Sequence, residues 1–329
     1  DWRPRLCQQF PDILPGASIP EVFGQAEPIW RRARRQVRTE RDQGLRQLLG
    51  VDSGSDASST WLWMGWQPLA RWSPLLKLPH GAWHADGASL PQQPSVQGGT
   101  WVQLPQQRGI CSVALSDGPV DSGEIAPRHP VSVVRLSPEI WRVSNGLVEF
   151  ECSPVGLMQL RDSQGVDQLS APLRPCRYRD RGEFWDAWDI AADYRRHPLE
   201  LEPVGSVQLL ESGPLVAQLV VTYRVGASRM RLDLRLIADC AWLELLVAVG
   251  WGQRDGLLRV GRPLAPTAVR RAADTSGGVI ERPAHPQTPR EQERWEVPAI
   301  SWLASQAKAP GGGIAVLLDG PQGVDGATD

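Results

Sequence analysis

The sequence predicts a mainly β protein with a helical segment at its N-terminus, on three observations. Apolar residues alternate with period two along successive runs of the second half. Turn formers are plentiful, with 29 Pro and 32 Gly among 329 residues. Apolar steps of three and four residues, the helical period, are found near the start, within residues 1–50.

The helical segment has a defined start. Ser18-Ile19-Pro20-Glu21 reads as a capping box with proline in the first turn. From there Val22, Ala26, Ile29, Ala33, Val37, Leu45 and Leu48 form one apolar stripe, broken around Glu40–Gly44. Pro28 falls in the second turn, where a kink is expected. Arg31, Arg32, Arg34, Arg35, Arg38 and Arg41 mostly lie off the stripe. They read as a solvated face, with a polyanion site as the alternative. Gly50 and the Ser/Asp/Gly run of residues 52–59 read as a stop and a linker.

Residues 60–135 are strand-like and rich in turns, and predict a small β domain. Residues 136–329 predict a large antiparallel β-sandwich. Within it, residues 147–152 alternate, Ser153–Gly156 makes a turn, and residues 157–160 return as a hairpin. Leu219 to Val225, Met230 to Leu236 and Leu243 to Val249 alternate in turn, joined at residues 226–228 and 238–240. Short turns between period-two runs mean antiparallel pairing rather than βαβ units. Residues 313–318 read as a strand followed by turn signals with no later strand to complete a hairpin, so the sandwich is expected to be truncated at its end.

Composition excludes several classes. A net charge of −2 argues against a nucleic-acid or anionic-membrane binder. No apolar run reaches the ~18 residues a membrane span needs. Five cysteines, far apart and without a CxxC, read as reduced core thiols of a cytoplasmic protein. Fifteen Trp against three Tyr and four Phe suit a Trp-rich core, or surfaces that stack on sugars. His80 and His84 are four residues apart in a Pro/Gly-rich loop, with no third metal ligand in view.

Residues 8–23, QQFPDILPGASIPEVF, resemble the stretch QFHD-I-L-P-G-T-S-I-x-E-V of glycoside hydrolase family 38, the zinc-dependent retaining α-mannosidases. Further stretches follow in family order. Residues 66–69 and 76–79 resemble the passage that opens the family's first β domain. Val143-Ser-Asn-Gly-Leu-Val-Glu-Phe150 resembles L-x-N-x-x-L-x-V, and Phe184-Trp-Asp-Ala-Trp-Asp-Ile190 resembles the W-D-A-W-D signature of the cytosolic and bacterial branch. Asp239-Cys-Ala-Trp-Leu-Glu244 resembles V-D-W-x-E. Ile280-Glu-Arg-Pro-Ala-His-Pro-Gln-Thr288, with Arg294-Trp-Glu-Val297 and Trp302, resembles R-P-T-H-x-N-T … R-F-E-V … W.

The resemblance implies that residues 1–50 end a three-helix middle domain, ahead of the two β domains. It implies hydrolysis of terminal α-mannosides in mannose-containing oligosaccharides. One carboxylate would attack the anomeric carbon, and a second carboxyl would protonate the leaving oxygen. In the family these acids, and all but one of the zinc ligands, belong to an N-terminal catalytic barrel that precedes the region matched here. The remaining zinc-ligand position is Pro11, which has no side-chain donor, so no zinc is expected on this chain. Asp12 occupies the sugar-binding position, and also reads as the cap of a turn at Asp12–Gly16. Trp185, Asp186 and Trp188, with Asp189, read either as sugar contacts or as packing between domains. The expectation is an α-mannosidase part that is inactive alone. The alternatives are a carbohydrate-binding or scaffold module, and a pseudoenzyme.

Overall fold

The structure, a computed structural model, describes residues 13, 18–48, 60–119, 125–182, 189–261, 268–293, 296–308 and 312–325. Pro11, Asp12, the expected linker and residues 183–188 lie outside the described residues. The chain is mainly β, in antiparallel sheets, with one long N-terminal helix.

The helix Pro20–Leu48 runs without interruption through Pro28. Of its apolar stripe, Ala26 is buried, whereas Ile29 and Val37 are exposed. The six arginines of residues 31–41 are partly or wholly in solvent. Arg31 pairs with Glu27 at 2.6 Å and Arg41 with Asp42 at 2.7 Å.

Two sheets build the small β region. Thr60–Trp72 pairs with Gln107–Asp117, which continues to Trp83–Ala85 and Ala88–Ser89. Leu75–Leu78, Thr100–Gln103 and Gln92–Pro94 form the second sheet. Trp83, Ala85, Leu90, Val102, Leu104, Val113 and Leu115 are buried between them. His84 therefore stands in a strand rather than in the loop expected for it. Its Nδ1 faces the Ala82 carbonyl at 3.0 Å and its Nε2 faces Ser89 Oγ at 3.1 Å. His80 Nε2 accepts from the Gly99 N–H at 3.0 Å, so the two histidines serve separate turns.

The sandwich places Ser132–Arg135, Trp141–Ser144, Val148–Ser153 and Gly156–Asp162 in one four-stranded sheet. Ser132–Arg135, at the end of the region read as the small β domain, thus pairs inside the sandwich. The facing sheet carries Val216–Val225, Ser228–Ile237 and Leu243–Gly250, with Glu202–Pro203 and Gln208–Ser212 also on Val216–Val225. Between the sheets lie Val143, Phe150, Cys152, Leu219, Val221, Tyr223, Met230, Leu232, Leu234 and Leu236. Each large aliphatic side chain buried this way contributes roughly 1.5–3 kcal/mol. Gly156, at φ 141°, permits the hairpin turn, because a Cβ there would run into the Leu173 carbonyl.

The remainder forms a four-stranded sheet in the order Gly278–Pro283, Ala268–Thr275, Trp302–Ala307, Gly313–Leu317. One expectation is corrected here. A strand does follow Gly313–Leu317: Gln322–Asp325 pairs antiparallel with Glu296–Ala299 rather than with its sequence neighbour. With a single fully apolar residue, Val324, it offered no periodic signal.

Candidate functional site

The small β region and the sandwich are joined by buried polar side chains that replace missing backbone partners. Gln93 reaches across, its amide oxygen accepting from the Leu215 and Val216 N–H groups at 3.0 and 2.9 Å, and its amide nitrogen donating to the Val216 carbonyl at 3.1 Å. Ser95 Oγ donates to the buried Glu211 carboxylate at 2.6 Å. Asn145 is the corresponding device inside the sandwich. It donates to the carbonyls of Ile237 and Cys240 at 2.9 and 2.8 Å, and accepts from the Leu147 and Val148 N–H groups at 3.0 and 2.9 Å. Buried backbone groups must be paired, which makes these residues hard to replace.

A cavity of about 340 Å³ opens beside this seam, lined by Ser73, Ser89, Gln103, Arg128 and Asp239 among apolar residues. Asp239, at φ 60°, accepts from the His129 N–H at 2.6 Å and so fastens the 125–131 segment.

The described residues on either side of the W-D-A-W-D stretch include two strands of one small sheet. Arg174–Arg179 pairs with Gly256–Gly261 on one side, and Pro198–Leu199 returns on the other. The Ala191 N–H donates to Asp180 at 2.9 Å and the Asp180 N–H to the Asp255 carbonyl at 3.0 Å, which brings residues 180 and 191 together. Past the base, Tyr194 is buried, edge-on to Tyr178 at 5.0 Å. Arg195 and Arg259 stack on its ring at 5.6 and 5.4 Å. Its hydroxyl donates to Asp325 at 2.9 Å, Arg195 pairs with the same carboxylate, and Arg259 pairs with Glu296 at 2.9 Å. Tyr194 and Arg195 are thereby tied to the last described strand. Trp185, Asp186 and Trp188 lie outside the described residues, while Asp189 is exposed and accepts from the Ile190 N–H at 2.9 Å.

The described titratable groups with shifted affinities serve the fold. Burial pushes the Cys152 and Cys240 thiols up to about 12. Burial also raises Asp274, but hydrogen bonds from the Ser301 hydroxyl and from the N–H groups of Ser301, Trp302 and Ile300 outweigh it and hold the carboxyl at about 2. Thr288 caps the helix Pro289–Gln292 and exchanges hydrogen bonds with Glu291, which accounts for the Thr that ends the 280–288 stretch. Among the described residues no three of His, Cys, Asp or Glu come close enough together to hold a metal ion. Among the described residues no helix is long and apolar enough to cross a membrane.

Comparison with known proteins bears on this arrangement. Residues 143–329 match the glycosyl hydrolases family 38 C-terminal domain. The chain is 21% identical to alpha-mannosidase 2C1 of Homo sapiens over 327 residues, 97% of this chain and 29% of the relative. It is 22% identical to alpha-mannosidase 2C1 of Mus musculus over 219 residues, 61% of this chain and 21% of the relative. It thus spans less than a third of these curated relatives. The fold is similar to that of an alpha-mannosidase from Enterococcus faecalis V583, with a TM-score of 0.60, 12% identity, and 93% of this chain and 43% of the other covered.

Proposed function

The chain belongs to the glycosyl hydrolases family 38 C-terminal domain family, and from that membership we propose that it is the substrate-facing β portion of an α-mannosidase acting on mannose-containing oligosaccharides. The match over residues 143–329 carries this reading. In it, Trp185 and Trp188 stack on sugar faces, and Asp186 and Asp12 accept hydrogen bonds from sugar hydroxyls. Asp180 and Tyr194, each held by hydrogen bonds, flank this stretch in the sequence. The nucleophile and the general acid of a retaining glycosidase come from sequence other than this, and without them the chain alone does not hydrolyse mannosides. Zinc is not held by its own residues, because Pro11 supplies no donor. The free thiols Cys152, Cys176 and Cys240 suit a reducing compartment, the cytoplasm.

Titration with methyl α-mannoside tests the sugar contact. A saturable change in tryptophan emission, lost in Trp185→Ala and Trp188→Ala, is expected. A flat response up to high millimolar sugar would remove sugar binding from the account. A second reading, a pseudoenzyme, rests on Pro11. It predicts that Pro11→His in a chain that also carries the other ligands restores zinc affinity.

A further inference from the structure

The strand Leu243–Gly250 lies at the end of its sheet, paired on one side with Ser228–Ile237. Among the described residues nothing pairs with its other side. On the core side of the sheet Leu245 is 38% exposed, Val247 47% and Val249 42%. On the opposite side Leu246 is 41% exposed, and Trp242 and Trp251 flank the strand, also exposed.

Sheet edges in soluble proteins are protected by lysine, proline, a bulge or an inward charge. This edge has none of them. Its register with Ser228–Ile237 is unbroken, and its one charge, Glu244, is neutralised by Arg235 at 2.6 Å. The shorter edge strand Gly313–Leu317 differs, because its Ile314 and Val316 are half-buried.

We propose that the Leu243–Gly250 edge is an interface that pairs antiparallel with the same strand of a second copy of this chain, across a two-fold axis. The strand is its own complement. With the axis on Val247, Leu245 faces Val249 on the core side, while Leu246 faces Ala248 and Glu244 faces Gly250 on the other. No like charges meet. Continuing this register sets Trp251 of each copy opposite Leu243 of the other on the core side, while Trp242 falls on the other face of the sheet. The six exposed side chains present on the order of 500 Å² per copy; the pairing covers the flanks of those side chains and adds a backbone ladder.

Light scattering on the purified protein over a dilution series from about 50 µM tests this. The expected mass is twice 36.2 kDa. Ala248→Lys, which places one lysine per copy at the seam, is expected to give a monomer. Leu317→Lys, on the other edge, is expected to leave the dimer intact. Hydrogen exchange on the unaltered protein is expected to show amides of residues 243–250 losing protection on dilution while those of 228–237 keep it. A monomer at the highest concentration, a dimer that survives Ala248→Lys, a dimer lost in Leu317→Lys, or protection that does not change with dilution would each overturn the proposal.

Discussion

Ser228–Ile237 and Leu243–Gly250 are neighbours in one sheet and carry the same kind of alternating apolar sequence, yet their surroundings differ. Leu232 and Leu234 are fully buried, whereas Val247 and Leu245, which face them across the ladder, are 47% and 38% exposed. Ser228–Ile237 has a strand on each side and a second sheet over its inner face. Among the described residues Leu243–Gly250 has one neighbour. Period two therefore reports that a segment is a strand with an apolar face; it does not report whether anything covers that face.

The largest test of this contrast is truncation at the centre. Leu234→Ala should cost about 2–5 kcal/mol by chemical denaturation, because it leaves a cavity in a packed core. A loss under about 1 kcal/mol would mean that the core between the sheets is loose. Next comes Asn145, which ties the first sheet to the turn at the end of Ser228–Ile237 through two of its four hydrogen bonds and closes its own turn with the other two. Asn145→Ala strips partners from buried backbone groups and should cost about 2–3 kcal/mol, whereas a surface-like value below about 0.5 would show that these groups find water. At concentrations where the protein is monomeric, Leu245→Ala should cost under about 1 kcal/mol, since much of its side chain is already in solvent. Equal losses at Leu234 and Leu245 would erase the comparison.

The smallest effect concerns acid. Asp274 is held at about 2, below its ordinary 3.8, so its contribution is present above 3.8 and is lost as pH falls through about 2. Between those values the wild type should lose stability faster than Asp274→Asn. Parallel acid curves for the two would show that the Ser301–Trp302 turn does not depend on that charge.

Much of the fold was legible because its signals are local. The capping sequence at Ser18–Glu21 placed the helix that begins at Pro20, and alternation placed the strands Val148–Ser153, Val216–Val225, Ser228–Ile237 and Leu243–Gly250. What was not legible depends on distant partners. Gln322–Asp325 is a strand only because Glu296–Ala299 lies beside it. Asn145 reads as an ordinary Asn-Gly turn, and nothing near it names Ile237 or Cys240, 92 and 95 residues away. The anchor from Tyr194 to Asp325 spans 131 residues. Of the candidate site, the resemblance supplied names, while Asp12, Trp185, Asp186 and Trp188 all fall outside the described residues. The residues of the family-like stretches that are described, Asn145, Asp239, Glu244 and Thr288, are engaged in turns, caps and ion pairs. At those four positions the described contacts serve the fold.

That division between a folded β scaffold and chemistry supplied from elsewhere is tested most directly by offering the folded protein 4-nitrophenyl α-mannoside with added zinc and following release of nitrophenol. The account predicts no release above the rate without protein. Release that a chelator abolishes would contradict it, and would mean that this chain assembles a metal site and catalytic acids of its own.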